Sequence, residues 1–141
     1  MERIRILLAD DHREMLSVVT GLLADEFDIV AAVENGRLAV EAAGDLDPDV
    51  IVLDMAMPVM HGLEAAVRLR DSGSRAKIIF LTVQAQAESI AAAFSAGALG
   101  YVLKSRIASD LVLAVREVVE GRIFSPMHAG VTAYIPIAVQ P

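Results

Sequence analysis

The sequence contains no cysteine, which excludes disulfide bridges and zinc–thiolate sites and fits a reducing compartment. Cations are also scarce: 12 Lys and Arg stand against 19 Asp and Glu, for a formal net charge of -7. A nucleic-acid surface needs clustered Lys and Arg to neutralise phosphates, so this chain alone is not expected to bind nucleic acid. Apolar runs suited to a membrane are missing as well. The uncharged stretch at 89–103 is rich in Ala and Gly and falls short of the ~20 residues a spanning helix needs. The longer one at 123–141 is interrupted by Pro126, His128, Gly130 and Pro136. The opening "MERIRILLADDHREM" is no signal peptide, because its short apolar stretch runs straight into acids. No G-x-G-x-x-G or Walker-type loop follows the first apolar run, which argues against a nucleotide-binding module. A soluble, cytoplasmic protein is the resulting expectation. At 141 residues and 55% hydrophobic, the chain fits one domain with a sizeable core.

What is present alternates. Short β-rich runs are expected to form strands at 4–9, 28–33, 50–54, 77–82 and 100–103. Between them Met15, Val18, Val19 and Leu22 recur at helical spacing, as do Ile90, Ala93 and Phe94, then Leu111, Ala114, Val115 and Val118. Weaker helical patterns cover 36–43 and 62–71. Five strand–helix repeats imply βαβ units and a parallel sheet with helices on both faces, an α/β doubly wound fold. The boundaries expected are a domain at 1–123 and a tail or linker start at 124–141, where Pro126, Gly130, Pro136 and Pro141 break any long element.

Ligands in such sheets bind outside the carboxyl ends of the strands. In "VIVLDMAMPVMHG" an apolar run covered on both faces ends in Asp54, and Pro58 and Gly62 turn the chain away from the sheet. The first strand ends in Asp10 and Asp11, the fourth in Thr82, and Lys104 follows the fifth. Each has a bland reading. Asp11 with Glu14 resembles a capping box, Thr82 is a good strand residue, and a lone surface Lys needs no explanation. Together they form one complementary chemistry, since clustered carboxylates repel one another without a cation and suit Mg²⁺, which is bound through carboxylates, phosphate oxygens and water.

The set "LLADDH", "VIVLDMAMPVMHG", "IIFLT" and "GALGYVLKS", in this order and spacing, resembles the response regulator receiver domain of bacterial two-component systems. It is most similar to receivers that precede a LuxR-type helix-turn-helix output domain. The resemblance implies a flavodoxin-like (βα)5 fold with strand order 2-1-3-4-5. It implies that Asp54 accepts a phosphoryl group from a sensor histidine kinase or phosphotransfer protein, with Thr82 and Lys104 contacting that group. Mg²⁺ is implied on Asp10, Asp11, Asp54 and the backbone carbonyl of Ala56, with Asp11 the more direct ligand of the pair. Thr82 and Tyr101 match the switch positions, the ring moving inward as the hydroxyl leaves. A homodimer through the 87–120 face is a further implication. The chain would be a phosphoacceptor with slow self-dephosphorylation, and not a turnover enzyme.

Val83, Ser105 and His61 depart from the usual pattern beside the switch hydroxyl, the lysine and the glycine. His12, His61 and His128 read as surface residues without evident partners, and the methionines as packing or loop residues. Output through a DNA-binding domain absent from this chain is the leading expectation, with a stand-alone regulator acting by protein contact as the alternative. A haloacid-dehalogenase-type phosphatase would need a second acid two positions after its nucleophile. His12 and Ala56 occupy those positions.

Overall fold

A computed structural model describes residues 2–83 and 86–126. The expectations for 127–141, including the apolar 135–139 stretch, lie outside the described residues. Strands β1 (Arg5–Ala9), β2 (Asp28–Val33), β3 (Val50–Asp54), β4 (Lys77–Thr82) and β5 (Gly100–Leu103) alternate with helices α1 (Arg13–Leu23), α2 (Gly36–Leu46), α3 (Gly62–Asp71), α4 (Ala87–Ser95) and α5 (Ile107–Val119). The strands form one sheet in the order β2-β1-β3-β4-β5, all pairs parallel. The alternating pattern implied a doubly wound parallel sheet, and this flavodoxin-like strand order is the one that the receiver resemblance implied.

Because side chains alternate across a strand, the apolar runs supply two cores. Leu7, Ile51, Leu53 and Phe80 pack with Ala39 and Ala43 of α2, Ala65, Ala66 and Leu69 of α3, and Ile90 and Ala93 of α4. On the opposite face Ile6, Leu8, Val52 and Leu81 pack with Val19 and Leu23 of α1 and with Leu111, Ala114, Val115 and Val118 of α5. Both faces of β3 are covered, so each of its five residues is buried, including Asp54. Among the described residues no helix is long and apolar enough to cross a membrane.

Two local features position the loops. Phe124, assigned by its sequence to the tail, is buried and lies beside β5. Its N–H donates to the Leu99 carbonyl and its carbonyl accepts from Tyr101 N–H, both at 2.9 Å. Gly62 opens α3 against the end of β3. A Cβ there would stand 2.6 Å from the Asp54 carbonyl oxygen and 2.9 Å from Met55 Cα. The glycine is therefore needed for close approach of α3 to the end of β3. Gly62→Ala is expected to cost about 1–3 kcal/mol, as overpacking does. A lower urea midpoint at unchanged slope would show it.

Candidate functional site

The parallel register aligns the strand ends. Ala9 lies opposite Leu53, Asp54 opposite Leu81, and Thr82 opposite Leu103. The residue that follows β1 and the one that ends β3 therefore meet at the carboxyl edge. Asp10 and Asp54 are 1% and 2% exposed, which is unusual for carboxylates and demands compensation. Lys104 supplies part of it. The lysine starts a short 3-10 turn (Lys104–Arg106) after β5, and its Nζ lies 3.3 Å from Asp10 Oδ2 and 3.2 Å from Asp54 Oδ2. The Ala56 N–H donates to Asp54 Oδ1 at 3.2 Å, and the His12 N–H donates to Asp10 Oδ1 at 2.9 Å.

Those contacts leave a deficit. Asp11 Oδ1 is a buried atom without a hydrogen bond, and the buried Oδ2 atoms of Asp10 and Asp54 have only the one Lys104 ammonium to share. Burial first, and then the neighbouring Asp10 carboxylate, push the Asp54 carboxyl up from 3.8 to about 6, against the pull of Lys104 and of the Ala56 N–H. Ligand atoms of Asp10, Asp11, His12 and Asp54 lie within 4.8 Å of one another. Crowded oxygens lacking donors, with a single ammonium on one side, suit a hard cation on the other.

The structure thus brings Asp10, Asp11, Asp54 and Lys104 together. Thr82 is buried at the end of β4. Tyr101 does not join the carboxylates. Its ring is fully buried in the core on the α4 side of the sheet, and its hydroxyl engages Thr82 and Ser89. Burial pushes the tyrosine pKa up, and those two contacts offset part of the rise. The ring expected to move inward is already inside here, because an apolar cluster takes its body while two hydroxyls satisfy its polar tip.

Two further expectations differ. Asp11 does not cap α1: the N-cap residue is His12, and no side chain makes a capping hydrogen bond there. His12 has partners after all, its Nδ1 lying 3.2 Å from Asp10 Oδ1 and 3.1 Å from Asp11 Oδ1. Its place directly after the acid pair was the available signal. His61 also has a local task, since its Nδ1 accepts from Glu64 N–H at 3.3 Å and caps α3.

Residues 6–116 match the response regulator receiver domain family. The chain is 40% identical over 126 residues to the uncharacterized transcriptional regulatory protein YvfU of Bacillus subtilis, covering 87% of this chain and 63% of that protein. It is 36% identical over 120 residues to the nitrate/nitrite response regulator protein NarL of Escherichia coli, covering 84% and 56%. Among solved structures it is similar to a two-component response regulator of the LuxR family from Aurantimonas sp., with a TM-score of 0.86, 29% identity, and coverage of 96% of this chain and 99% of that one. The chain spans roughly three fifths of the length of the curated relatives it matches. With the fold, the strand-end acids and these matches in agreement, the chain belongs to the response regulator receiver domain family.

Proposed function

We propose that the chain is a phosphorylation-dependent switch whose Asp54 carboxylate takes a phosphoryl group from a histidine kinase or phosphotransfer protein. The observation that carries this is the buried Asp54, held between Lys104 and donor-poor carboxylates. A carboxylate oxygen attacks phosphorus, the bond to the donor's leaving atom breaks, and an acyl phosphate remains on Asp54. Such a transfer demands positioning and neutralisation of charge on the equatorial oxygens. Lys104, held by its two ion pairs, supplies one cation. Asp10, Asp11, Asp54 and the Ala56 carbonyl would hold Mg²⁺, which supplies the other positive charge when bound.

The phosphoryl group then offers acceptor oxygens to Lys104 and Thr82 and biases a two-state element. Thr82 already touches Tyr101, so a change at the hydroxyl reaches α4 and β5. Pairing of copies through the 87–120 face, and transcriptional output through a domain outside this chain, complete the reading. It is supported by the names of the curated relatives and by their greater length.

Intact mass after incubation with acetyl phosphate and Mg²⁺ tests it. One stable phosphoryl adduct is the expected result. Continuous phosphate release would instead indicate a phosphatase, and no reaction an inert interaction module. Thr82→Ala is expected to accept the phosphoryl group and to lose most of the phosphorylation-dependent change in hydrogen exchange across α4, β5 and α5. A full response in that variant would break the coupling through Thr82.

A further inference from the structure

We infer that Ser89 is a positioning residue of the switch: by holding the Tyr101 hydroxyl from α4, it frees Thr82 to turn to the phosphoryl group. This role rests on the reading of Asp54 as the phosphoacceptor and extends it to a residue outside the acid cluster.

Its first support is geometry. Phe80 of β4 lies directly opposite Tyr101 of β5. Because side chains alternate across a strand, Thr82, two positions beyond Phe80, projects to the same face as the tyrosine. Phe80 and Tyr101 belong to the core that Ile90 and Ala93 of α4 cover, and Ser89 stands beside Ile90 in the first turn of that helix. The tyrosine is fully buried, and its hydroxyl meets two side-chain hydroxyls, Thr82 from β4 and Ser89 from α4. Ser89 is not engaged by the helix end. The N-cap of α4 is Gln86, and no side chain makes a capping hydrogen bond there.

The second support is the count of donors. A threonine hydroxyl carries one proton, and a phosphoryl group on a carboxylate offers acceptors. Thr82 can therefore donate to the phosphoryl oxygens or to the phenol oxygen, and not to both. A buried hydroxyl left without a partner costs more than one ordinary hydrogen bond contributes. With Ser89 in place the phenol keeps a donor when Thr82 turns away, so the ring stays inside and its hydroxyl is held from α4 alone.

Calorimetric titration of the full chain with beryllofluoride, an inorganic mimic of the phosphoryl group, in the presence of Mg²⁺ tests this. The variants are Ser89→Ala, Ser89→Thr, Tyr101→Phe and the double variant Ser89→Ala with Tyr101→Phe. Alanine suits a helix better than serine does, so Ser89→Ala is expected to fold. It should bind the mimic roughly fivefold more weakly than wild type, the equivalent of one hydrogen bond, while Ser89→Thr should stay within about twofold. With phenylalanine at 101 no phenol needs a partner, so adding Ser89→Ala should change affinity by less than about twofold. Such non-additivity assigns the effect to a direct coupling between the two side chains. An equal loss in both backgrounds overturns the role of Ser89, because a merely structural serine acts whether or not the phenol is there. Undiminished affinity in Ser89→Ala, or a loss in Ser89→Thr as large as in Ser89→Ala, overturns it as well. In each of these cases wild type still binds the mimic, and the reading of Asp54 stands. Failure of wild type to bind removes that reading and the role of Ser89 with it.

Discussion

Asp54→Asn is expected to abolish phosphoryl incorporation from acetyl phosphate while making the metal-free protein more stable at neutral pH. The first effect follows from loss of the nucleophile at nearly constant shape. The second follows from burial. The Asp54 carboxyl titrates at about 6 in the fold against an ordinary 3.8, so the folded chain holds this proton more tightly than the unfolded chain does. Ionised Asp54 therefore costs stability above pH about 6, and the cost is relieved as pH falls and is gone below about 4. The gap between 3.8 and about 6, at ~1.36 kcal/mol per pKa unit, corresponds to about 3 kcal/mol. Urea denaturation of both proteins at several pH values, in the presence of a chelator, should show the variant ahead at pH above about 7 and level with wild type near pH 4. Equal labelling of the variant would remove Asp54 as the acceptor. A stability gain independent of pH would remove the buried charge as its cause.

Chelation of divalent metal is expected to stop phosphorylation of the wild type, and Asp11→Ala should weaken Mg²⁺ binding more than Asp10→Ala. The difference follows from what each carboxylate already holds. Asp10 is buried, accepts the His12 N–H through Oδ1 and faces Lys104 through Oδ2. Asp11 is about one-third exposed, and its Oδ1 has no hydrogen bond. Asp11 is therefore the acid with an unspent oxygen that can reach an ion, while Asp10 acts largely by fixing its neighbours. Its removal should cost roughly tenfold, in the range for groups that orient a ligand, and removal of Asp11 should cost more. Isothermal titration of the two variants decides the order. Phosphorylation undiminished by chelation would take the cation out of the reaction.

The strands were legible because each is a short run whose burial on both faces forces apolar residues at successive positions. Four of the five observed strands have the expected limits, and β1 starts one residue later, at Arg5. Helix α2 runs to Leu46, beyond the expected stop at 43, because the alanines and glycine there carry little periodic contrast. The acid pair, Asp54 and Lys104 could be placed together because a parallel sheet sends all its strand ends to one edge. Side-chain direction could not be read in the same way. Whether Asp11 caps a helix or faces a cluster, and whether Tyr101 sits in or out, depends on tertiary contacts. Thr82 and Ser89 meet the tyrosine hydroxyl from different elements, and neither contact leaves a trace in local pattern. His12 was missed for a related reason, since a lone histidine after two acids looks the same whether it points outward or back at them.

An edge strand normally leaves a row of backbone donors and acceptors open to any passing chain. At the start of β5, Phe124 occupies two such groups, the carbonyl of Leu99 just before the strand and the Tyr101 N–H within it. The strand that carries the tyrosine is thereby closed to strand addition along that stretch. A protein docking on this side of the sheet must recognise side chains and surface shape there, which makes its grip sensitive to small movements of Tyr101 and its neighbours. The same plug of backbone guards against the sheet-to-sheet stacking that an exposed apolar strand would invite.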